Sequence, residues 1–287
     1  MATRTDELRE AIEYVAQPSQ LSNHHLTIHL ADVHRLATTF QHSVREVEIA
    51  ALEVHIVPLR YIRNIGTIGI EGQLTLLRST VAVVGQGGLG GYVTEALTRM
   101  GVGRLTLIDG DCFEAHNLNR QVLSSEEHLG SSKVAVARKR VASINSAVDV
   151  ATWEEMLTRE NLPRLLAEAQ VVVDALDRLP IRLILQAGAQ ELGIPMVHGS
   201  IAGFIGQVMT ILPGDPGLFQ LYGELEQVPE RGLEAQVGTP ATTPMAVAAW
   251  EAQEVVKLLL GTGTLLRRRL LILDMASGTV ETVALSG

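Results

Sequence analysis

The stretch "VVGQGGLGGYVTEAL", residues 83–97, runs from an apolar β-branched segment through a glycine cluster into a helical pattern. Gly85, Gly87 and Gly90 fit the G-x-G-x-x-G spacing, in which a tight strand-to-helix turn lets backbone approach a phosphate. That spacing leaves the nucleotide open. NAD for hydride transfer and ATP for a different reaction both use such a turn.

From residue 80 onward, the runs "TVAVVG", "RLTLID", "AVDVAT", "QVVVDAL" and "IPMVHGS" alternate with helical patterns. This order predicts an α/β fold, a Rossmann-like, mostly parallel sheet flanked by helices. "GFIGQVMTI", residues 203–211, adds a further strand, and residues 213–244, rich in Pro, Gly and Thr, read as a long irregular loop of the kind that is usually functional or mobile. "PMAVAAWEAQEVVKLLLG" reads as a helix ended by Gly261, and "RRLLILDMASGTVETVAL" as a C-terminal antiparallel hairpin around Ser277 and Gly278. Residues 1–58 stand apart as a small helical N-terminal module that carries six of the nine histidines. Its helix, turn and helix could suit DNA, but five basic residues against eight acids up to residue 60 leave no electrostatic footprint for it.

A chain of 287 residues, 46% of them hydrophobic, can bury one large core and a small appendage. A net charge of -9 and 3% aromatic residues argue against a nucleic-acid partner. No segment reaches 18 uninterrupted apolar residues and "MATRTDELREAIEYV" mixes acids and bases, so neither a membrane span nor a secretory signal is expected and the expected location is cytoplasmic. Cys112 is the sole cysteine, which excludes an intrachain disulfide.

The residues after the second strand separate the nucleotides. Asp109 follows the glycine turn by about twenty residues, where an acid accepts hydrogen bonds from a ribose that NAD and ATP share. "IDGDCFEAHNLNRQVL" then supplies Asp111, Asn117, Arg120 and Gln121, and Lys133 follows. Guanidinium, ammonium and amide donors suit a triphosphate whose pyrophosphate departs with growing negative charge. Asp177, just past the strand "QVVVDAL", lies where open α/β sheets bind ligands, and one carboxylate with phosphate oxygens and water is a common Mg²⁺ environment. The pocket reads as Mg-ATP.

"RYIRNI", "GQGGLGG", "DGDCFEAHNLNRQ", Lys133 and Asp177, in this order and spacing, resemble the ThiF, MoeB and HesA family of ubiquitin-activating-like adenylyltransferases over about residues 60–287. The resemblance implies an adenylation domain from residue 59 to 287. Its implied reaction is ATP-dependent adenylation of the C-terminal glycine carboxylate of a small ubiquitin-like or sulfur-carrier protein ending in Gly-Gly, with release of pyrophosphate. By the same resemblance Gly85, Gly87, Gly88 and Gly90 line the nucleotide, Asp109 its ribose, and Asn117, Arg120, Gln121 and Lys133 its phosphates. Asp177 holds magnesium, with Asp111 as helper. Arg63, supported by Arg60, reaches the phosphates from the neighbouring subunit of a homodimer. Many relatives carry zinc on two C-x-x-C pairs and a transfer cysteine before the final long helix; this chain has none of these, so no zinc is expected and the reaction is expected to stop at the adenylate. The family's frequent Asn after the magnesium acid is Arg178 here. Three other readings compete: adenylation of a small-molecule or peptide carboxylate, an NAD-dependent oxidoreductase, and a degenerate ATP-binding scaffold.

Overall fold

The computed structural model describes residues 4–19, 21, 24–225, 228–230 and 232–285. The chain divides into two compact units, one of Met1–Ser79, Thr98–Arg104 and Ala142–Asp149, the other of Thr80–Leu97, Leu105–Val141 and Val150–Gly287.

The first unit contains α1 (Arg4–Val15), β1 (Gln17–Pro18), β2 (Leu26–Ile28), α2 (Leu30–Phe40), α3 (Val44–Glu53), β3 (Ile56–Pro58) and α4 (Ile62–Leu77). A capping box starts α3: the Glu46 N–H donates to Ser43 Oγ at 3.1 Å, and the Ser43 N–H donates to Glu46 Oε2 at 2.6 Å. The apolar faces of the first three helices meet around Leu8, Ile12, Val33, Leu36, Val47 and Ala51. The helical module expected here also holds a three-stranded sheet, with β1 antiparallel to β2 and β2 parallel to β3. Strands of two and three residues are too short for an alternating pattern to register. The division expected after residue 58 differs from the observed one at Ser79, because Leu74 and Leu77 of α4 share a buried cluster with Leu52, Val57 and Tyr61.

The second unit is built on β4 (Thr80–Val84), α5 (Gly90–Met100), β5 (Arg104–Ile108), α6 (Lys133–Ile144), β6 (Asp149–Trp153), α7 (Leu162–Leu165), β7 (Val171–Asp174), α8 (Leu179–Glu191), β8 (Met196–Ala202), β9 (Ile205–Ile211), α9 (Leu218–Tyr222), α10 (Glu234–Val237), α11 (Thr242–Leu260), β10 (Arg269–Asp274) and β11 (Thr279–Ala284), the tips of some of these falling in the first unit. They form an eight-stranded sheet of order β6-β5-β4-β7-β8-β9-β10-β11. β4, β7 and β8 run parallel, with Val83 opposite Val173 and Asp174 opposite His198. β7 is buried along its whole length, as its unbroken apolar run VVVD requires when both faces are covered. From β8 onward the pairs are antiparallel, and β10 with β11 is the expected hairpin. The strand order reverses between β4 and β7, the switch point at which open α/β sheets hold ligands.

Residues 213–244 are less irregular than expected, since they carry α9 and α10. The buried Asp215 anchors this excursion, accepting from Arg267 Nε at 2.8 Å, Arg267 Nη2 at 2.9 Å and Arg268 Nε at 3.1 Å. The "RRR" run that would pass for a solvated strand edge therefore spends two of its cations on one carboxylate. Among the described residues no helix is long and apolar enough to cross a membrane.

In the first unit Glu48 is fully buried, and Arg60 Nε lies 3.2 Å from its Oε1. Burial pushes this carboxyl up to about 7, against the pull of Arg60. The folded state thus keeps a proton that an unfolded glutamate releases near 4.3, so the stability it contributes is present at low pH and is lost as pH rises through 7. Glu48→Gln is therefore expected to gain on the wild type by up to about 3 kcal/mol between about pH 5 and about pH 8. Denaturant titrations of both proteins at the two pH values read this difference directly.

Candidate active site

At the end of β4 the chain turns at Gly85, whose φ of 94° suits glycine and whose N–H donates to Ile108 O at 2.8 Å. A Cβ on Gly85 would stand 2.5 Å from Ala175 O, and one on Gly90 would stand 1.8 Å from Gly85 O. These two glycines are demanded by backbone packing. Gly87 and Gly88 differ: a Cβ there would only reach ordinary contact, 3.5 Å from Gln121 Nε2 at the first and 3.7 Å from Arg120 Cγ and Pro244 Cβ at the second. Side chains there would fill a cradle, bounded by those three residues, that opens onto the N-terminus of α5. Unpaired helix N–H groups favour anions at such a place.

Asp109 ties the end of β5 to this turn. Its Oδ2 accepts from the Gln86 N–H at 2.6 Å and its Oδ1 from the Asp111 N–H at 2.8 Å. Burial raises its carboxyl above the usual range, with Lys133 and the two N–H donors opposing. Lys133 opens α6, and its side chain is only 8% exposed. Its Nζ lies 2.8 Å from Asp111 Oδ2, so Asp111 is occupied in holding the lysine.

The segment between β5 and α6 presents the remaining groups. Asn117 is buried and its Oδ1 accepts the Glu114 N–H at 3.0 Å, while its own carbonyl accepts the N–H groups of Arg120 at 3.1 Å and Gln121 at 3.0 Å. Asn117 thus builds the turn that aims its neighbours. Arg120 is half-buried, and its Nη1 donates to His116 O and Asn119 Oδ1, both at 2.9 Å. Burial draws its guanidinium below its usual range and the charge of Asp177 opposes this, which places Arg120 and Asp177 within electrostatic reach of one another. Gln121 is buried with its Oε1 lacking any hydrogen-bond partner. Asp177 itself is exposed and precedes Arg178, the residue at the N-cap of α8.

Of the residues expected from sequence, the four glycines, Asp109, Asp111, Asn117, Arg120, Gln121, Lys133 and Asp177 all lie in or beside the second unit's switch-point region. Arg63 belongs to the first unit, where it is exposed and makes no hydrogen bond or ion pair among the described residues. Its companion Arg60 is taken up by Glu48 and Asn145. Sequence reasoning missed Asp174, Arg182, His198 and Glu251, four ionisable groups buried behind the site. The available signal was charge inside apolar runs: a histidine within "MVHGS" and an acid within "AAWEAQEVV".

A parallel sheet with a glycine cradle, a buried lysine and an arginine at its switch point defines a nucleotide-handling α/β enzyme. Residues 61–287 match the ThiF family. A SAMP-activating enzyme E1 of Haloferax volcanii is 39% identical over 229 residues, covering 78% of this chain and 84% of the relative. A sulfur carrier protein adenylyltransferase of Thermus thermophilus is 38% identical over 216 residues, covering 72% and 79%. Among solved structures, E. coli MccB with ATP superposes with a TM-score of 0.68 at 19% identity, covering 100% of this chain and 90% of that one, a likeness of fold. The chain belongs to the ThiF family and is an adenylyltransferase.

The two kinds of glycine give opposite expectations. Gly90→Ala should destabilise the protein by about 3 kcal/mol, because the methyl overlaps backbone. Gly88→Ala should leave the melting temperature nearly unchanged while weakening nucleotide binding. Thermal unfolding with calorimetric titration of ATP distinguishes the two variants.

Proposed function

We propose that this chain adenylates the C-terminal glycine carboxylate of a small ubiquitin-like or sulfur-carrier protein at the expense of ATP. A carboxylate oxygen attacks the α-phosphorus, the bond from that phosphorus to the bridging oxygen breaks, and pyrophosphate leaves with the electron pair. The observation that carries this reading is the grouping of Arg120 and Gln121 against Gly87 and Gly88, beside a lysine held by Asp111. The names of the Haloferax and Thermus relatives support the carrier-protein substrate.

The residues fit the groups this reaction needs. Gln121 has a partnerless buried oxygen that a ribose hydroxyl can satisfy, and its Nε2 faces the cradle where phosphate would lie. Asp109 keeps lone pairs beyond its two backbone bonds for a ribose. Lys133 and Arg120 supply cations for the leaving pyrophosphate, so the chain's part is alignment and charge stabilisation. Among the described residues no group of three or more His, Cys, Asp or Glu could cage a metal. A magnesium ion held by Asp177 together with the triphosphate fits this donor set, and when bound it neutralises phosphate charge. Asp111, already paired with Lys133, fits that role less well than Asp177. Arg63, exposed in the first unit, is assigned to the phosphates of a neighbouring subunit in a homodimer.

Exchange of labelled pyrophosphate into ATP, driven by carriers ending in Gly-Gly, tests the reading. Lys133→Ala and Asp177→Ala should each slow exchange by about 100-fold or more. Exchange indifferent to both substitutions, or driven by small carboxylates and not by any carrier, would count against it, as would tight NAD binding without a magnesium requirement.

The dimer assignment has its own assay. Arg63→Ala and Lys133→Ala preparations are each expected to be nearly inactive, and mixing them should restore about a quarter of wild-type exchange, because half the dimers then carry one intact site. No recovery after verified subunit exchange would place Arg63 outside the neighbour's site.

A further inference from the structure

Behind Asp177 lies a buried set of ionisable side chains with no evident part in the chemistry. Asp174, the last residue of β7, and His198, opposite it on β8, are both fully buried, and Arg182 of α8 is 6% exposed. His198 Nδ1 lies 2.7 Å from Asp174 Oδ2, which assigns the ring proton to that nitrogen. Burial acts against the Asp174 carboxylate, but the charge of Arg182 and the His198 hydrogen bond outweigh it and hold the group below the usual carboxylate range. Burial keeps His198 below its ordinary value, so the ring is neutral and Asp174 with Arg182 forms the charge pair.

Both members of this pair also bond backbone. Asp174 Oδ1 accepts the N–H of Leu176 at 3.2 Å. Arg182 Nη2 donates to the carbonyl of the same Leu176, and its Nη1 donates to Gly199 O at 3.0 Å. Both polar groups of one residue are thus gripped by buried charged side chains. The Leu176 carbonyl shares a rigid peptide plane with the N–H of Asp177, so gripping it orients the plane from which Asp177 departs. The preceding residue is fixed as well, since the Ala175 N–H donates to Val84 O at 2.9 Å and its carbonyl lies against Gly85.

A purely structural explanation is weak on energetic grounds. Burying a charge pair is seldom more stabilising than packing apolar groups of the same shape, whereas fixed hydrogen-bond geometry is what such a pair supplies best. Glu251 sharpens the point: its carboxyl is buried without a hydrogen-bond partner, against Gly199, where a Cβ would stand 2.3 Å from its carboxyl carbon. Burial and the nearby Asp174 charge raise this carboxyl well above its usual range, against the opposing charge of Arg182.

We propose that Arg182 and Asp174 are positioning residues that clamp the Leu176 peptide and thereby hold the Asp177 carboxylate where magnesium and the triphosphate meet. This rests on the function proposed above. It goes beyond it by assigning a role to a pair that touches neither substrate nor metal.

Arg182→Lys is the decisive variant, because lysine keeps the charge that balances Asp174 but lacks the planar fork that spans two carbonyls. Two readouts are expected to move with little change in melting temperature. Amide hydrogen exchange at Leu176 and Asp177 should quicken about tenfold, and the Mg²⁺ concentration that half-saturates ATP binding in calorimetry should rise about tenfold. Should the lysine variant fold poorly, the paired Asp174→Asn, Arg182→Gln protein removes both charges together and is expected to show the same two shifts. Unchanged exchange in a folded variant overturns the clamp. Faster exchange with an unmoved Mg²⁺ midpoint also overturns it, provided Asp177→Ala shifts that midpoint. If Asp177→Ala itself leaves the midpoint unmoved, the magnesium assignment fails first and the clamp's purpose goes with it.

Discussion

The carbonyl oxygen of Gly85 stands 1.8 Å from where a Cβ of residue 90 would be, so the strand leaving the sheet and the helix returning to it meet backbone to backbone. Nothing larger than glycine admits that approach, and the rest of the site inherits its geometry. Because the turn is so tight, Gly85 also lies against Ala175 at the end of the neighbouring strand, which joins the two sides of the switch point. Gly87 and Gly88 differ, since a Cβ at either would meet only ordinary contact with Gln121, Arg120 and Pro244. Close packing at two glycines produces room at the other two.

Around that room charge is distributed by exposure. Lys133 is nearly buried, and its Nζ is held in place by Asp111 at 2.8 Å. Arg120 is half-buried and held by His116 O and Asn119 Oδ1, while Asp177 remains exposed and accessible. Behind it, Asp174 and Arg182 are sealed from water and work on backbone. The site thus has an accessible layer and, behind it, a sealed layer whose charged groups bond the backbone leading to Asp177.

Sequence patterning reaches the large sheet well, because strands buried on both faces must be written as apolar β-branched runs, and "TVAVV" and "VVVD" are unmistakable. The residues proposed for the accessible layer stand out for a related reason: glycines, acids and bases crowd into residues 85–133 at spacings that have few other uses. The sealed layer does not. Asp174 and His198 become neighbours through strand register, 24 residues apart, and Arg182 joins them from the next helix. Long-range pairing of this kind leaves no periodic trace. The same holds for Asp215 with Arg267, and for Glu48 with Arg60, the supporting arginine of the "RYIRNI" motif. The small sheet of the first unit escaped because its strands span two or three residues and two of them end in proline.

The eight-stranded sheet also differs greatly from its middle to its margin. All six residues of β11 are exposed, whereas β7 at the switch point is wholly buried. Resistance to local opening follows burial, so fraying starts at the hairpin and fades strand by strand toward β4 and β7. Thermal agitation at the carboxyl-terminal rim is therefore absorbed several strands away from the glycine turn, and the fold can shed its outermost ribbon transiently while its centre keeps its shape.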